Sequence, residues 1–161
     1  MRIPSAPPVK LVLLSLLTAS LAFGLAPLTL AKGAAKVAAP VAAAPTTLTW
    51  GNDLRAALAS ARTSRRWVLV DCYTVHCGWC KKLDADTFQD PNVARQLGNH
   101  FVWCKCDTDD PNTGAWVKDK YQPDGYPCVL ILDPYGTEKG RILGYLPPSA
   151  FVSRVAKIVR Q

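Results

Sequence analysis

The chain has 161 residues, six cysteines, 13 prolines and a net charge of +7. This length admits one ordinary domain with appendages and excludes two. The basic residues are scattered, with Arg62, Arg65 and Arg66 the densest group, and no long basic stripe with interleaved aromatics argues for nucleic acid; the balance suits acidic partners or anionic membrane surfaces.

Residues 1–31 run from a basic start (Arg2, Lys10) through the apolar stretch Leu11–Leu30 to Thr29-Leu30-Ala31, a small-residue cleavage pattern. This is the order of a secretory signal peptide. The same stretch approaches the ~20 residues of a membrane-spanning anchor, although Gly24 and Pro27 weaken such a helix. Removing residues 1–31 lowers the charge from +7 to about +5. No cysteine precedes Cys72, so no lipoprotein-type acylation site exists there. Residues 32–45 are Ala, Pro, Val, Gly and Lys, too poor in large side chains to offset chain entropy, and read as a tether. Export makes disulfides permissible in the remainder of the chain.

The domain is expected over residues 46–161. Thr46–Trp50 predicts a short edge strand. Asn52 or Asp53 caps a helix carrying Leu54, Ala57, Leu58 and Ala61 at i, i+3, i+4, i+7. Trp67–Tyr73 is a nearly continuous apolar run with one acid inside it, the pattern of a strand covered on both faces. A helix starts after Cys77, and Asp90-Pro91 opens a short one. Phe101–Asp107 is the next strand, Thr113–Tyr121 a helix, and Cys128–Leu132 a buried strand. Asp133–Gly136 forms a turn, Arg141–Tyr145 a return strand, and Pro148 or Ser149 opens a last helix with Phe151, Val152, Val155, Ile158 and Val159 inward. The order β-α-β-α-β-α-β-β-α predicts an α/β fold, a central sheet with helices on both faces.

The most informative stretch is Val68-Leu-Val-Asp-Cys-Tyr-Thr-Val-His-Cys-Gly-Trp-Cys-Lys. Cys77 falls where a helix begins, and unpaired backbone N–H groups there favour a thiolate. Cys80, one turn on, can reach it. The pair can cycle between dithiol and disulfide, Cys77 attacking and Cys80 resolving. The same spacing also serves zinc, which needs two more ligands; His76, His100, Cys104 and Cys106 are the candidates. Covalent haem would need His where Lys81 stands.

Three motifs in order now resemble the thioredoxin superfamily over roughly residues 50–160: a strand ending in Val-Asp, Cys-Gly-x-Cys-Lys at a helix start, and Gly125-Tyr126-Pro127 before a buried strand. The run from Cys80 to Val93 is similar to exported thioredoxin-like domains, the carboxy-terminal domain of the membrane electron carrier DsbD among them. The resemblance implies the thioredoxin fold with a mixed sheet. It implies a cis peptide bond at Pro127 beside the active-site cysteines, with Tyr126 facing the substrate chain. It implies that Asp71 is the buried acid, its pKa raised by desolvation, which takes the proton of Cys80. Lys105 falls where thioredoxins carry a lysine near that acid; a solvated strand residue is the other reading.

Some positions depart from the family pattern. His76 stands where Trp is usual; protonated, it would lower the Cys77 pKa, and otherwise it is an exposed loop histidine. Gly78 and Trp79 lie between the cysteines, without the His that oxidants and isomerases carry before the second one, which leans toward a reductant or a mid-potential exchanger. Trp79 joins His76, Tyr126 and Pro127 as an expected substrate contact. Cys104 and Cys106 share one face of a strand, too far apart to bond without distortion. With Cys72 and Cys128 they read as small, buried, reduced residues; a second redox pair through Cys72 is the alternative.

The sequence therefore predicts an exported, monomeric thiol–disulfide oxidoreductase acting on protein disulfides. It needs no bound cofactor or metal, and a membrane-embedded electron donor is what the resemblance implies. A binding module that keeps the fold without turnover is the other function class.

Overall fold

A central strand buried over most of its length organises the molecule. In the computed structural model, which describes residues 45–161, this is β2 (Trp67–Tyr73), and its residues 68–72 are buried. The signal-like segment and all of the tether but its last residue lie outside the described residues. β2 pairs in parallel with β3 (Phe101–Asp107) and antiparallel with β4 (Cys128–Leu132). β1 (Trp50–Gly51) lies parallel outside β3, and β5 (Glu138–Leu143) antiparallel outside β4. The order β1-β3-β2-β4-β5 is the mixed sheet that the sequence predicts.

Among the described residues five helices cover it: α1 (Leu54–Ser64), α2 (Gly78–Asp86), α3 (Pro91–Leu97), α4 (Ala115–Tyr121) and α5 (Pro148–Val159). Alternation along the strands sorts the core into two halves. Val68, Val70 and Leu130 pack with Leu54, Leu58 and Val117 on the α1/α4 face. Leu69, Val129 and Ile131 pack with Leu83, Val93, Phe151 and Val155 on the face of α2, α3 and α5. The helix starts are written in the sequence. The Asp53 carboxylate accepts from the Arg55 N–H at 2.8 Å, and the Asp90 carboxylate accepts from the Asn92 N–H at 2.7 Å ahead of Pro91.

Two strands differ from expectation. Only Trp50 and Gly51 find ladder partners, Trp103 and Cys104, so the first strand is shorter and later than Thr46–Trp50. The return strand starts at Glu138, not Arg141, because the Asp133 carboxylate closes the turn by accepting from the Tyr135 and Thr137 N–H groups. Pairing then begins at once, Leu132 opposite Glu138. Glu138, Lys139 and Gly140 carry no apolar alternation that would have announced this. Gly144, at φ +78°, ends the strand before Tyr145. In α5, Phe151, Val155 and Ile158 are buried as expected, whereas Val152 and Val159 are only half-buried.

Because β2 and β3 run parallel, both begin at one pole (Trp67, Phe101) and end at the other (Tyr73, Asp107). Cys77 follows the end of β2, so the cysteine pair belongs to the second pole.

Candidate active site

The loop after β2 is closed by the Cys77 N–H donating to the Thr74 carbonyl at 3.1 Å. Cys77 is the N-cap of α2, and its Sγ accepts from the Cys80 N–H at 3.0 Å. A sulfur in the capping position faces the unpaired N–H groups of the first turn, where negative charge is stabilised. Cys77 and Cys80 are joined as a disulfide with Cα atoms 5.3 Å apart. The two sulfurs are not equivalent. Cys80 is 3% exposed, while Cys77 is only half-buried. An incoming group reaches Cys77 first.

Asp71 lies on the α2 side of β2, by alternation with Leu69, and is 1% exposed. Its Oδ2 accepts from Lys105 Nζ at 2.8 Å, and its Oδ1 has no partner. Burial raises the Asp71 pKa to about 6, against the opposing pull of Lys105. Lys105 sits directly across the ladder from Asp71. Burial works against its charge, but Asp71 and Asp84 outweigh that and hold its pKa up. The ammonium also lies 4.9 Å from the Trp50 ring and 5.3 Å from the Tyr73 ring. Its second carboxylate partner, Asp84, is one helical turn beyond Cys80 and open to solvent. Asp71, Lys105 and Asp84 thus form a chain of charged groups from beneath α2 to the surface. Sequence reasoning reaches Asp71 and Lys105 and misses Asp84; its i+4 spacing from Cys80 is the available signal.

The exposed side is aromatic. Trp79 is 61% exposed and lies against Tyr145, ring centroids 5.9 Å apart. Trp79, Tyr126, Gly144 and Tyr145 line a shallow groove of about 280 Å³. The Tyr126–Pro127 bond is cis. The Tyr126 hydroxyl accepts from Thr108 Oγ1 at 2.7 Å. The Tyr145 hydroxyl donates to Asp86 at 3.1 Å, and Lys82 Nζ stands 5.0 Å from its ring. Sequence reasoning does not reach Tyr145 or Thr108. It places Tyr145 at the end of the return strand, and Tyr145 lies beyond that strand. His76 is exposed beside Cys77 and makes no side-chain hydrogen bond among the described residues.

The other four cysteines are free and buried. Cys128, Cys72 and Cys106 stand side by side across β4, β2 and β3, and with Cys104 they point into the α1/α4 core. The facing Cys106 sulfur and burial push the Cys72 thiol up; burial pushes Cys104 up to about 12 and Cys128 to about 11. None of the four lies on the sheet face that carries Asp71. Cys104 and Cys106 are therefore not brought to Cys77 as zinc ligands, and His100 lies at the opposite pole. Among the described residues no cluster of three or more His, Cys, Asp or Glu side chains is arranged for a metal ion.

Sheet order, helix-capping disulfide, buried acid and cis-proline define a thioredoxin-fold domain with a dithiol–disulfide pair. The thioredoxin-like family model matches residues 49–134, and the chain belongs to that family. It is 32% identical over 111 residues to the thiol:disulfide interchange protein DsbD of Pseudoalteromonas atlantica, covering 67% of this chain and 19% of that protein. The chain thus spans about a fifth of the length of that relative. Among solved structures it is similar to a thioredoxin from Thermus thermophilus, with a TM-score of 0.63, 28% identity, and coverage of 70% of this chain and 88% of the other. The fold also matches the oxidised DsbD c-terminal domain of Neisseria meningitidis, with a TM-score of 0.56, 21% identity, and coverage of 68% and 98%. A thioredoxin-like fold of this kind is consistent with thiol–disulfide exchange.

Proposed function

We propose that the protein is an exported oxidoreductase that reduces or exchanges disulfides in other proteins through Cys77 and Cys80. The observation that carries this reading is the unequal exposure of the two disulfide sulfurs, Cys77 half-buried and Cys80 buried, at the start of α2. In the reduced protein, Cys77 ionises at the helix N-terminus and its thiolate attacks a sulfur of the substrate disulfide. The substrate S–S bond breaks, a mixed disulfide forms, and the substrate's other sulfur leaves as a thiolate. Asp71 accepts the Cys80 proton. Cys80 then attacks Cys77 Sγ, re-forming the 77–80 disulfide and releasing the substrate's second thiolate. The substrate gains two electrons and two protons overall, and the domain loses them. An external dithiol, soluble or in a membrane-embedded donor, restores the reduced pair.

His76 and Trp79, beside the cysteines in the chain, would contact the substrate, together with Tyr126, which shares a groove with Trp79, and the cis Pro127. Lys105 tunes Asp71. The signal-like residues 1–31 support an extracytoplasmic location, either free after cleavage or tethered; no described helix is long and apolar enough to cross a membrane. The domain is taken to act as a monomer.

The test is insulin reduction driven by dithiothreitol. The parent protein is expected to accelerate it, and Cys77→Ser to abolish the acceleration. Equal rates for the two proteins would refute the mechanism. The reduction potential gives the direction: a value near ~−270 mV marks a reductant and one near ~−120 mV an oxidant.

A further inference from the structure

We infer that the pole opposite Cys77 is a docking surface for anionic phospholipid bilayers. At this pole the α1–β2 turn, the α3–β3 turn and the last turns of α5 enclose an open groove of about 470 Å³. Its floor includes the half-buried Trp67, Val152 and Val159, the two valines being those that the periodicity of α5 assigns to the interior. Its rim carries Arg65, Arg66 and Arg160.

The charge there is uncompensated. No carboxylate lines the groove, and none of the three arginines makes an ion pair among the described residues. Nor can the undescribed segment supply one, because residues 1–44 contain no Asp or Glu. Asp133 and Glu138 also lie toward this pole, beyond the end of β4, but they are taken up by Lys139 and Arg141, while Asp107, Asp109 and Asp110 stand at or beyond the end of β3 at the other pole. The three arginines, unpaired among the described residues, thus stand at the pole away from the disulfide.

The point of chain entry selects a bilayer over an acidic protein. Pro45 packs on Gly98, so closely that a Cβ there would fall 2.6 Å from the proline ring, and Asn99 lines the groove. The upstream chain, with its apolar stretch Leu11–Leu30, therefore joins the folded body at the basic pole. A bilayer offers phosphate to the guanidinium groups and hydrocarbon to Trp67 and the valines at once, and arginine stems and indole rings suit that boundary. Each basic side chain near an anionic surface raises partitioning about five-fold. Docked this way, the domain presents Cys77 outward from the membrane.

The test uses the full chain reconstituted into phosphatidylcholine vesicles with or without about 30% phosphatidylglycerol, read by hydrogen–deuterium exchange at low salt. Exchange in peptides covering 62–68 and 154–161 is expected to slow about five-fold or more only with phosphatidylglycerol, and to recover at about 0.5 M salt. Peptides covering 74–82 should be unchanged. The variant R65S/R66S/R160S should lose the protection; because Arg66 also donates to the Phe101 carbonyl, R65S/R160S, with both sites exposed, serves as a second variant and should lose most of it. Equal exchange on the two vesicle types, protection centred on 74–82, or protection that survives in both variants would overturn the proposal.

Discussion

Lys105 Nζ lies 2.8 Å from Asp71 Oδ2, a solvent-reaching cation clamped onto a carboxylate that is 1% exposed. The pair leaves Asp71 ionisable rather than permanently neutral, since burial alone would push its pKa higher than about 6. A proton acceptor poised near neutrality is what the resolving step needs.

The same shift sets a stability penalty. A carboxyl whose folded pKa is raised from 3.8 to about 6 contributes stability that is complete below pH 3.8 and lost as pH rises through 6. Asp71→Asn should therefore stabilise the protein by about 1–3 kcal/mol at pH 7.5 and flatten its stability profile between pH 4 and 6. Urea unfolding at several pH values measures this. Turnover should fall at least about ten-fold at the same time, because Cys80 loses its proton acceptor. A variant both less stable and fully active would contradict the assignment.

Tyr145 supports Trp79 from one side, with Asp86 and Lys82 fixing its ring. Removing it should cost substrate binding more than chemistry. For Tyr145→Ala, KM toward a protein disulfide is expected to rise roughly 2–10-fold with kcat changed little, in line with an aromatic pair contributing ~0.5–1.5 kcal/mol. Tyr145→Phe keeps the ring and should keep most of the affinity. Steady-state kinetics of the two variants separate these outcomes.

Alkylation should divide the six cysteines into two classes. After reduction under native conditions, iodoacetamide at pH 7.5 is expected to label Cys77 quickly and Cys80 slowly. Cys72, Cys104, Cys106 and Cys128 should stay unlabelled until the protein is unfolded, because all four are buried, and the thiols of Cys72, Cys104 and Cys128 are in addition held protonated. Peptide mapping by mass spectrometry reads the pattern. A native 72–106 bridge would instead support a second redox pair.

Gly114 marks a contact that no periodicity announces. It precedes α4, and a Cβ on it would lie 1.7 Å from the Asp107 carbonyl oxygen, a backbone atom that cannot step aside. Gly114→Ala should destabilise the domain by about 3 kcal/mol or more, measured by urea unfolding.

These residues also show what a sequence conveys. Strand β2, the caps Asp53 and Asp90, and the Cys77–Cys80 pair are legible because each rests on local pattern: apolar continuity, an Asx residue before a helical stripe, a fixed spacing. Pro127 and Asp71 come from family resemblance. Asp84, Tyr145, Thr108 and Gly114 are not legible, because their roles arise between elements far apart in the chain. Tyr145 meets Trp79 across 66 positions only once β5 has folded back. The early start of β5 is hidden for a different reason: its first residues are polar, and the turn that sets its register is held by a side chain.

Asp71 and Cys72 are neighbours in the chain yet project through opposite faces of the sheet, so β2 works as a two-sided partition. A buried carboxylate faces one side and four buried sulfurs face the other. A single-residue insertion or deletion in β2 upstream of Asp71 would exchange the two, driving a carboxylate into the α1/α4 core and setting a thiol beneath the disulfide. This strand can drift in composition, but not in length.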